Sequence, residues 1–329
     1  MDGKLIHGLE LFVKAIGLTT YGGPEVLRVV ELPQPHAGPG EVRVRVRAAG
    51  VNPVDVMLRD SSLAALNRGI QPPFVPGMDI AGTIDEVGDG VRSTHALVPG
   101  DEVVGIVVPS GSRGGYSEYV VVPADSVTRK PADLSFPEAA SFLMNALAAR
   151  TALDALDLRA GSALAVTGAA GALGGFTVEL AAAEGLRVIA TGSADERDLL
   201  LAFGADAVVA RGEGVAQRIL DVAPQGVDGV VDAAVLGTQI ASAVRDKGRI
   251  VVVRPWEGEP ERGITAFPIN VMTRARDRAA IDRLREQLEA GALTPRVALT
   301  LPAEQAVEAH QRLAAGGLNG RIILEFPVH

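Results

Sequence analysis

Three glycines near the middle of the chain have the spacing that is typical of an anion-binding turn. Gly168, Gly171 and Gly174 form a G-x-x-G-x-x-G turn directly after the strand-like run 163–166. Residues without a Cβ permit a tight turn and let backbone N–H groups approach a phosphate closely. The apolar segment 176–184 predicts a helix after the turn, and the unpaired amides at a helix start favour negative charge. The pattern predicts a cradle for the pyrophosphate of a dinucleotide.

The order of elements around this turn supports the prediction, because 38 glycines in 329 residues make a chance match easy. Strands and helices alternate after the turn, which is typical of repeated βαβ units and a parallel sheet. The predicted strands are 186–191, 207–209, 227–231 and 249–253, with helices up to Phe203 and near 215–222. The backbone amides expected to contact the cofactor belong to Gly168, Gly171, Ala172, Leu173 and Gly174.

Composition limits the classes of protein that this chain can form. With 329 residues and 47% hydrophobic content, two domains are expected, and the net charge of −9 opposes attraction to nucleic acid or anionic lipid. No cysteine is present, so disulfides and thiol chemistry are excluded. No apolar run is long enough to span a bilayer and no signal-type segment is present, so we expect a cytoplasmic protein.

The residues before the turn show a different periodicity. Val42, Val44 and Val46 alternate with arginines, which predicts a half-exposed strand. Short runs at 80–87, 101–108 and 116–122 are bounded by Gly, Pro or Asp and predict further strands of a small β-barrel.

Helical patterns flank the predicted parallel sheet on both sides in sequence. Ser135 and Glu138 form a capping box, and the apolar positions after it predict one helix toward Leu158 that bridges the domains. A helical stripe ending at Gly291, a helix near 303–315 and a strand at 322–326 follow the sheet. We expect these last elements to return to the barrel.

Five further segments, taken together with the glycine turn, resemble the medium-chain dehydrogenase/reductase superfamily, specifically its zinc-independent quinone oxidoreductase (zeta-crystallin-like) branch. The likeness spans residues 13–326. The segments are Val13-Lys-Ala-Ile16, Tyr21-Gly-Gly-Pro-Glu-Val-Leu27, Ala49-Gly-Val-Asn-Pro-Val-Asp55, Val75-Pro-Gly-Met-Asp79 and Gly115-Tyr-Ser-Glu-Tyr119.

The resemblance implies an α/β fold with two domains and a homodimer. A GroES-like β-barrel catalytic domain would comprise 13–136 and 276–329. A Rossmann-type doubly wound domain at 137–275 would bind NADP, and residues 1–12 would be an N-terminal extension.

The resemblance also implies that no metal is bound. Asn52 stands where zinc members carry a cysteine ligand, and Gly77-Met78-Asp79 stands where they carry Gly-His-Glu. The five histidines, which show no ligand spacing, are His7, His36, His95, His310 and His329.

The end of the second predicted Rossmann strand indicates NADPH as the cofactor. NAD-binding units place an acidic residue there, whereas this chain has Gly192 and Ser193, which leave room for a 2'-phosphate. Arg197 and Arg211 are the candidates to bind that phosphate. Arg211 stands at a position that lies beside the adenosine phosphate in the resembling family. Each arginine has an alternative role as an ordinary surface residue.

Hydride transfer to a quinone or another α,β-unsaturated carbonyl places negative charge on a carbonyl oxygen. Asn52 lies at the family's cleft-facing barrel position, so we hypothesise that its amide polarises this oxygen, with a turn role as the alternative. Asp55 and Asp79 are expected to be structural. Met57 stands where many relatives have a proton-donating tyrosine.

The proton donor and the substrate remain open from sequence. Ser61, Ser62, Tyr116 or solvent are the alternatives for the donor. The cleft is expected to be apolar around Met57, Phe74, Met144 and Trp256, unless these residues form plain core.

Three other functions are considered beside the leading one. A short-chain dehydrogenase is disfavoured because no Tyr-x-x-x-Lys pair occurs. An enoyl-type tailoring reductase with a larger dedicated substrate and a noncatalytic NADPH-binding scaffold or sensor both remain as alternatives.

Overall fold

The computed structural model describes residues 11–256, 258 and 260–327. Of the predicted N-terminal extension, only Leu11 and Phe12 fall within this range, and Phe12 already begins the first strand. His7 and His329 lie outside it. Within the described residues, no helix is long and apolar enough to cross a membrane.

The strands of the described residues fall into three sheets. They are β1 (Phe12–Gly17), β2 (Arg28–Pro33), β3 (Glu41–Val51), β4 (Asp79–Val87), β5 (Glu102–Ile106), β6 (Tyr119–Pro123), β7 (Val127–Arg129), β8 (Ala163–Thr167), β9 (Arg187–Gly192), β10 (Ala207–Ala210), β11 (Val227–Asp232), β12 (Val244–Val252), β13 (Thr265–Pro268), β14 (Val297–Pro302) and β15 (Arg321–Glu325).

The α-helices of the same residues connect and cover these sheets. They are α1 (Pro53–Arg59), α2 (Val91–His95), α3 (Phe136–Ala140), α4 (Leu143–Leu156), α5 (Ala172–Ala183), α6 (Arg197–Ala202), α7 (Val215–Val222), α8 (Arg278–Glu289) and α9 (Ala306–Ala315).

The parallel sheet has the order β10-β9-β8-β11-β12-β13, with every neighbouring pair parallel. Chain order reverses beside β8, because β9 lies on one side of it and β11 on the other. In an open α/β sheet this switch point is where ligands bind, outside the carboxyl ends of the strands. The glycine turn follows β8 and therefore lies at the switch point. The predicted parallel sheet is confirmed, and β13 is an additional strand.

The second large sheet is antiparallel through most of its length and draws strands from both ends of the chain. Its order is β14-β15-β3-β4-β5-β7, with β6 pairing β3. Ile322 of β15 pairs with Val51 of β3, so the C-terminal segment does return to the N-terminal strands, as predicted. The domain division at 136/137 and 275/276 stays a prediction.

The single bridging helix predicted from Ser135 toward Leu158 is two helices in the structure. The capping box at Ser135 starts α3 as expected, but α3 ends at Ala140 and α4 begins at Leu143. The Ser141 hydroxyl turns back to the carbonyl of Glu138 at 2.8 Å. The amide of Met144 then donates to Asp79 at 2.7 Å, so a side chain of β4 supplies the acceptor for a new helix start. Sequence spacing could not show this tertiary contact.

Candidate active site

The glycine turn has the conformation of an anion cradle. Gly168 has a φ of +58°, a region that favours glycine, and its carbonyl accepts the amide of Gly171 at 3.0 Å. Helix α5 begins at Ala172, and its N-cap residue Gly171 makes no side-chain capping bond. The amides of Ala172, Leu173 and Gly174 therefore open the helix without a side-chain acceptor, as phosphate binding at a helix start requires.

The lack of a side chain at Gly174 lets the glycine turn pack closely against the start of α5. A Cβ on Gly174 would lie 2.2 Å from the carbonyl oxygen of Gly168 and 2.7 Å from Cα of Ala169. Neither backbone atom can move without opening the turn, so only glycine fits here. The turn thus fits a pyrophosphate by the close backbone approach that the spacing predicts.

A buried carboxylate supports the neighbouring loop at the same sheet edge, and sequence reasoning missed it. Asp232 ends β11 and accepts the Thr167 hydroxyl at 2.6 Å together with the amides of Leu236 and Gly237 at 3.0 and 2.8 Å. The Thr167 oxygen in turn accepts the amide of Ala234 at 3.0 Å. Thr167 immediately precedes the cradle, so one network holds both loops of the switch point. Its sequence signal is a Thr and an Asp at the ends of two predicted strands.

The adenosine end of the candidate site contains an acidic side chain whose capping role was not predicted. Gly192 ends β9, and the amide of Ser193 donates to Oε2 of Glu196 at 2.8 Å. Glu196 is 8% exposed, so its carboxylate lies under the loop. The signal was Ser193-x-x-Glu196, the same capping-box pattern that was recognised at Ser135.

The two predicted phosphate-binding arginines are exposed near the carboxyl ends of β9 and β10. Arg211 donates through Nη1 to both oxygens of Glu196 at 3.2 Å, and its amide donates to the Gly192 carbonyl at 3.1 Å. Arg197 reaches the carbonyl of Val208 at 3.3 Å. The structure therefore brings Gly192, Ser193 and Arg211 together, with Glu196 among them.

On the barrel side, Asn52 lies in a fully buried polar junction. It is the N-cap of α1, and its Nδ2 donates to Oδ2 of Asp79 at 2.9 Å and to the carbonyl of Gly50 at a marginal 3.5 Å. Asn145 of α4 donates to Oδ1 of Asn52 at 3.0 Å, and Arg321 of β15 donates to Oδ1 of Asn145. Asn52 is 0% exposed, so in this arrangement its amide faces the junction and not an open cleft.

Asp55 and Asp79 each accept hydrogen bonds from groups of the buried junction and of the segments beside it. Asp55 accepts the amides of Asn52 and Gly77 at 2.8 and 2.9 Å, and Asp79 holds Asn52 and the start of α4. Burial raises the pKa of Asp55 to about 7 and the pKa of Asp79 to about 6, with these hydrogen bonds opposing the rise. Burial lowers the pKa of Arg321 to about 10, and the two carboxylates oppose that fall.

The three alternative proton donors lie in different surroundings. Tyr116 is 0% exposed, and its hydroxyl donates to Asp55 at 3.2 Å while lying 3.3 Å from Nε2 of His310. Burial raises the Tyr116 pKa well above its ordinary value. Ser61 and Ser62 are both exposed at the end of α1. Tyr116 thus belongs to the barrel core, and the serines are the accessible hydroxyls.

The four apolar residues suggested for the cleft do not form one group. Met144 lies in the core between the domains, Phe74 packs on the barrel core, and Trp256 packs on the core at one face of the parallel sheet. Met57 is half-buried on α1. For Met144, Phe74 and Trp256 the plain-core alternative describes the packing.

The described residues contain no group of three or more His, Cys, Asp and Glu side chains arranged to hold a metal ion. Asn52 and Asp79, at the positions compared with zinc ligands, are hydrogen-bonded to each other.

Two family models match the chain. The alcohol dehydrogenase GroES-like domain matches residues 38–132, and the zinc-binding dehydrogenase model matches residues 203–324.

Curated relatives match over nearly the whole length. Quinone oxidoreductase of Mus musculus is 31% identical, covering 96% of this chain and 98% of that protein. The 2-methylene-furan-3-one reductase of Solanum lycopersicum is 28% identical, covering 95% of this chain and 79% of that protein.

Solved structures agree with this match. A structure described as an NAD-dependent alcohol dehydrogenase has a TM-score of 0.83 at 30% identity, covering 95% of this chain and 100% of that one. A mycobacterial protein in complex with NADPH has a TM-score of 0.82 at 28% identity, with the same coverage. With its GroES-like barrel, its Rossmann-type sheet and its glycine turn at the switch point, the chain belongs to the medium-chain dehydrogenase/reductase superfamily, in the quinone oxidoreductase branch.

Proposed function

We propose that this oxidoreductase transfers hydride from NADPH to a quinone or another α,β-unsaturated carbonyl without a metal ion. The glycine turn carries the proposal, because its geometry suits a pyrophosphate at the switch point of the parallel sheet. The names of the mouse and tomato relatives supply the substrate class.

The bound dinucleotide would supply the hydride, and the protein's part is to hold it and exclude competing reactions. Amides of Ala172, Leu173 and Gly174 would bind the pyrophosphate. The network of Asp232 and Thr167 would keep the adjoining loop in register with the turn. Each of these groups is a backbone amide or a buried, satisfied side chain, so the cradle needs little reorganisation when the cofactor binds.

The preference for NADPH rests on the small residues Gly192 and Ser193 and on the exposed cation of Arg211. Arg211 is 63% exposed on its side chain, so it can turn from Glu196 to a phosphate that carries more charge than one carboxylate. Arg197 adds a second cation nearby.

A second cofactor choice is favoured by one specific observation. Glu196 places a carboxylate at the end of β9, where NAD-binding units use an acid to accept ribose hydroxyls. If Arg211 leaves this carboxylate to bind the 2'-phosphate, NADPH is preferred. If Glu196 instead faces the ribose, NADH is preferred.

Asn52 remains the candidate to polarise the substrate carbonyl. One of its N–H groups is held by Asp79, and the other makes only the 3.5 Å contact with Gly50. That second N–H is the one available to a substrate oxygen, and the buried junction must open on the cleft side for the contact to form. Ser61, Ser62 or solvent would then deliver the proton, because Tyr116 lies within the barrel core.

The decisive experiment is NADPH and NADH oxidation by the purified protein over a panel of quinones, enones and larger enoyl thioesters, with calorimetric titration of both coenzymes. We expect NADPH binding and turnover with small quinones or enones. Turnover confined to large enoyl thioesters would favour a tailoring reductase, and binding without turnover would favour a scaffold. No heat with either coenzyme would refute the proposal.

We also propose a cytoplasmic homodimer. The cysteine-free composition suits a reducing compartment, and the net charge of −9 suits a soluble protein without nucleic-acid partners. Sedimentation equilibrium with the full chain tests the dimer, and a single species at the monomer mass would refute it.

A further inference from the structure

The guanidinium of Arg296 holds the glycine turn from outside the parallel sheet. Arg296 directly precedes β14, in the segment that returns to the barrel sheet. Its Nη1 donates to the carbonyl of Ala170 at 2.9 Å, and its Nη2 donates to the carbonyl of Gly171 at 3.0 Å. One planar group therefore binds two consecutive carbonyls of the turn, a fork geometry that lysine cannot reproduce.

The position of this guanidinium explains why residue 175 is a glycine, although phosphate binding does not require a glycine there. A Cβ on Gly175 would lie 2.5 Å from Nη2 of Arg296 and 3.3 Å from the ring of Phe203. The guanidinium lies over that ring, with its carbon 4.8 Å from the ring centroid. Gly175 therefore leaves the space in which Arg296 packs between the turn and Phe203.

A second contact attaches the same segment to the cofactor helix. The amide of Thr294 donates to Oε2 of Glu179 at 3.2 Å, and Glu179 is a buried residue of α5. The carbonyl of Arg296 accepts the amide of Arg321, the first residue of β15, at 2.8 Å. The return segment is thus hydrogen-bonded to the glycine turn and α5 on one side and to a barrel strand on the other.

Binding these two carbonyls affects the amides that face the opposite way. The carbonyl of Ala170 shares a peptide group with the N–H of Gly171, and the carbonyl of Gly171 shares one with the N–H of Ala172. A cation on the oxygen side polarises each peptide group and makes its N–H a stronger donor. The N–H of Gly171 donates to the Gly168 carbonyl and so closes the turn, whereas the N–H of Ala172 is left to donate to a phosphate. The cation also adds positive charge at the start of α5.

We propose that Arg296 is a positioning residue for the dinucleotide pyrophosphate, fixing the glycine turn and strengthening the Ala172 amide as a donor without touching the phosphates. This inference rests on the proposed function. It predicts that the segment 294–296, which leads into β14 of the barrel sheet, controls cofactor affinity, although none of these residues belongs to the Rossmann sheet.

The test compares Arg296→Met, Arg296→Lys and the control Arg312→Met. Arg312 is an exposed arginine of α9 that pairs with Glu308 one helical turn away. For each protein we would measure the Kd of NADPH by calorimetry, the inhibition constant of adenosine 2'-monophosphate, kcat at saturating NADPH, and urea unfolding. Adenosine 2'-monophosphate lacks the pyrophosphate, so it reports the adenosine end alone.

We expect Arg296→Met to raise the Kd of NADPH at least tenfold, with Arg296→Lys intermediate and Arg312→Met unchanged. The inhibition constant of adenosine 2'-monophosphate and kcat at saturation should stay within twofold. A folded Arg296→Met protein that binds NADPH within twofold of wild type would overturn the inference alone. Equal losses for both ligands would overturn it too. Failure of the wild type to bind either coenzyme would overturn the proposed function and this inference with it.

Gly175→Ala supplies an independent variant should Arg296→Met fail to fold. The added methyl displaces Nη2 of Arg296 without removing its charge, so we expect a rise of about threefold to tenfold in the NADPH Kd. In the Arg296→Met background the same methyl should add less than twofold. Unchanged affinity in Gly175→Ala, or full additivity of the two changes, would contradict the proposed coupling.

Discussion

The side-chain nitrogen of Asn52 lies 2.9 Å from Oδ2 of Asp79, and both residues are inaccessible to solvent. This pair joins α1 to β4. The other carboxylate oxygen of Asp79 accepts the amide of Met144 at the start of α4. Because removal of a buried donor leaves its acceptor unsatisfied, any substitution of Asn52 changes stability as well as chemistry.

We expect Asn52→Ala to lower kcat for quinone reduction by a factor on the order of 10², the usual effect of losing one oxyanion donor. It should also lower the free energy of unfolding by about 2 kcal/mol, because Asp79 loses a partner. Steady-state kinetics and urea unfolding measure the two effects.

Asn145→Ala is the matched control, since Asn145 belongs to the same junction and bonds to Asn52. A similar loss of stability with kcat near wild type would assign the kinetic effect to the Asn52 amide. Unchanged turnover in Asn52→Ala would remove Asn52 from the catalytic residues.

Arg211 and Glu196 form an ion pair, and substitutions of the two residues should change the KM for NADPH in opposite directions. Arg211→Ala should raise the KM for NADPH about tenfold and leave that for NADH within twofold, because only NADPH carries the 2'-phosphate. Glu196→Gln should lower the KM for NADPH severalfold by freeing Arg211. Kinetics with both coenzymes measure this, and equal effects of Arg211→Ala on the two would refute the assignment.

Gly174→Ala tests the cradle directly. The methyl would meet the carbonyl of Gly168 at 2.2 Å, so the turn must open and its amides diverge. We expect loss of measurable NADPH binding in calorimetry. Gly38→Ala is the control, because a Cβ there meets only the carboxylate of Glu41, at 3.1 Å. Wild-type NADPH affinity in Gly174→Ala would show that the pyrophosphate binds elsewhere.

His310 makes stability depend on pH in a defined direction. Burial lowers its pKa to about 3, with the nearby charge of Arg59 adding to the fall. The unfolded chain binds a proton near pH 6.5 and the folded chain does not, so this contribution is lost as pH falls from about 6.5 toward 3. The raised pKa values of Asp55 and Asp79 act oppositely, destabilising the fold as pH rises from about 4 to 7.

A His310→Gln variant separates the pH dependence of stability caused by His310 from that caused by Asp55 and Asp79. The stability advantage of the wild type over His310→Gln should shrink by about 3 kcal/mol between pH 7 and pH 4. Urea unfolding at intervals of pH measures this difference. A difference that is constant with pH would show that His310 titrates normally in the folded protein.

The glycine-turn half of the candidate site could be predicted from the sequence more fully than the half around Asn52. The glycine turn and the strands around it were predictable, because a turn, a strand and a helix start are local and depend on residues a few positions apart. The capping box of Ser193 and Glu196 was accessible by the same logic, through the spacing of the two residues, although it was not predicted. The junction of Asn52, Asp79, Asn145 and Arg321 was not accessible, because its members come from segments far apart in the chain.

The sequence by itself determined the alternation of strands and helices, the glycine turn that follows β8, and the lack of cysteine chemistry, since these depend on residue type and short spacing. Only the tertiary structure decided that the predicted bridging helix breaks after Ala140, where Asp79 of β4 accepts the amide of Met144. It also decided that Arg211 faces Glu196 and that Arg296 reaches the turn from the segment preceding β14. The physical reason is that a buried charge or amide must find its partner in space. The chain order does not show which distant group packing brings within hydrogen-bond distance.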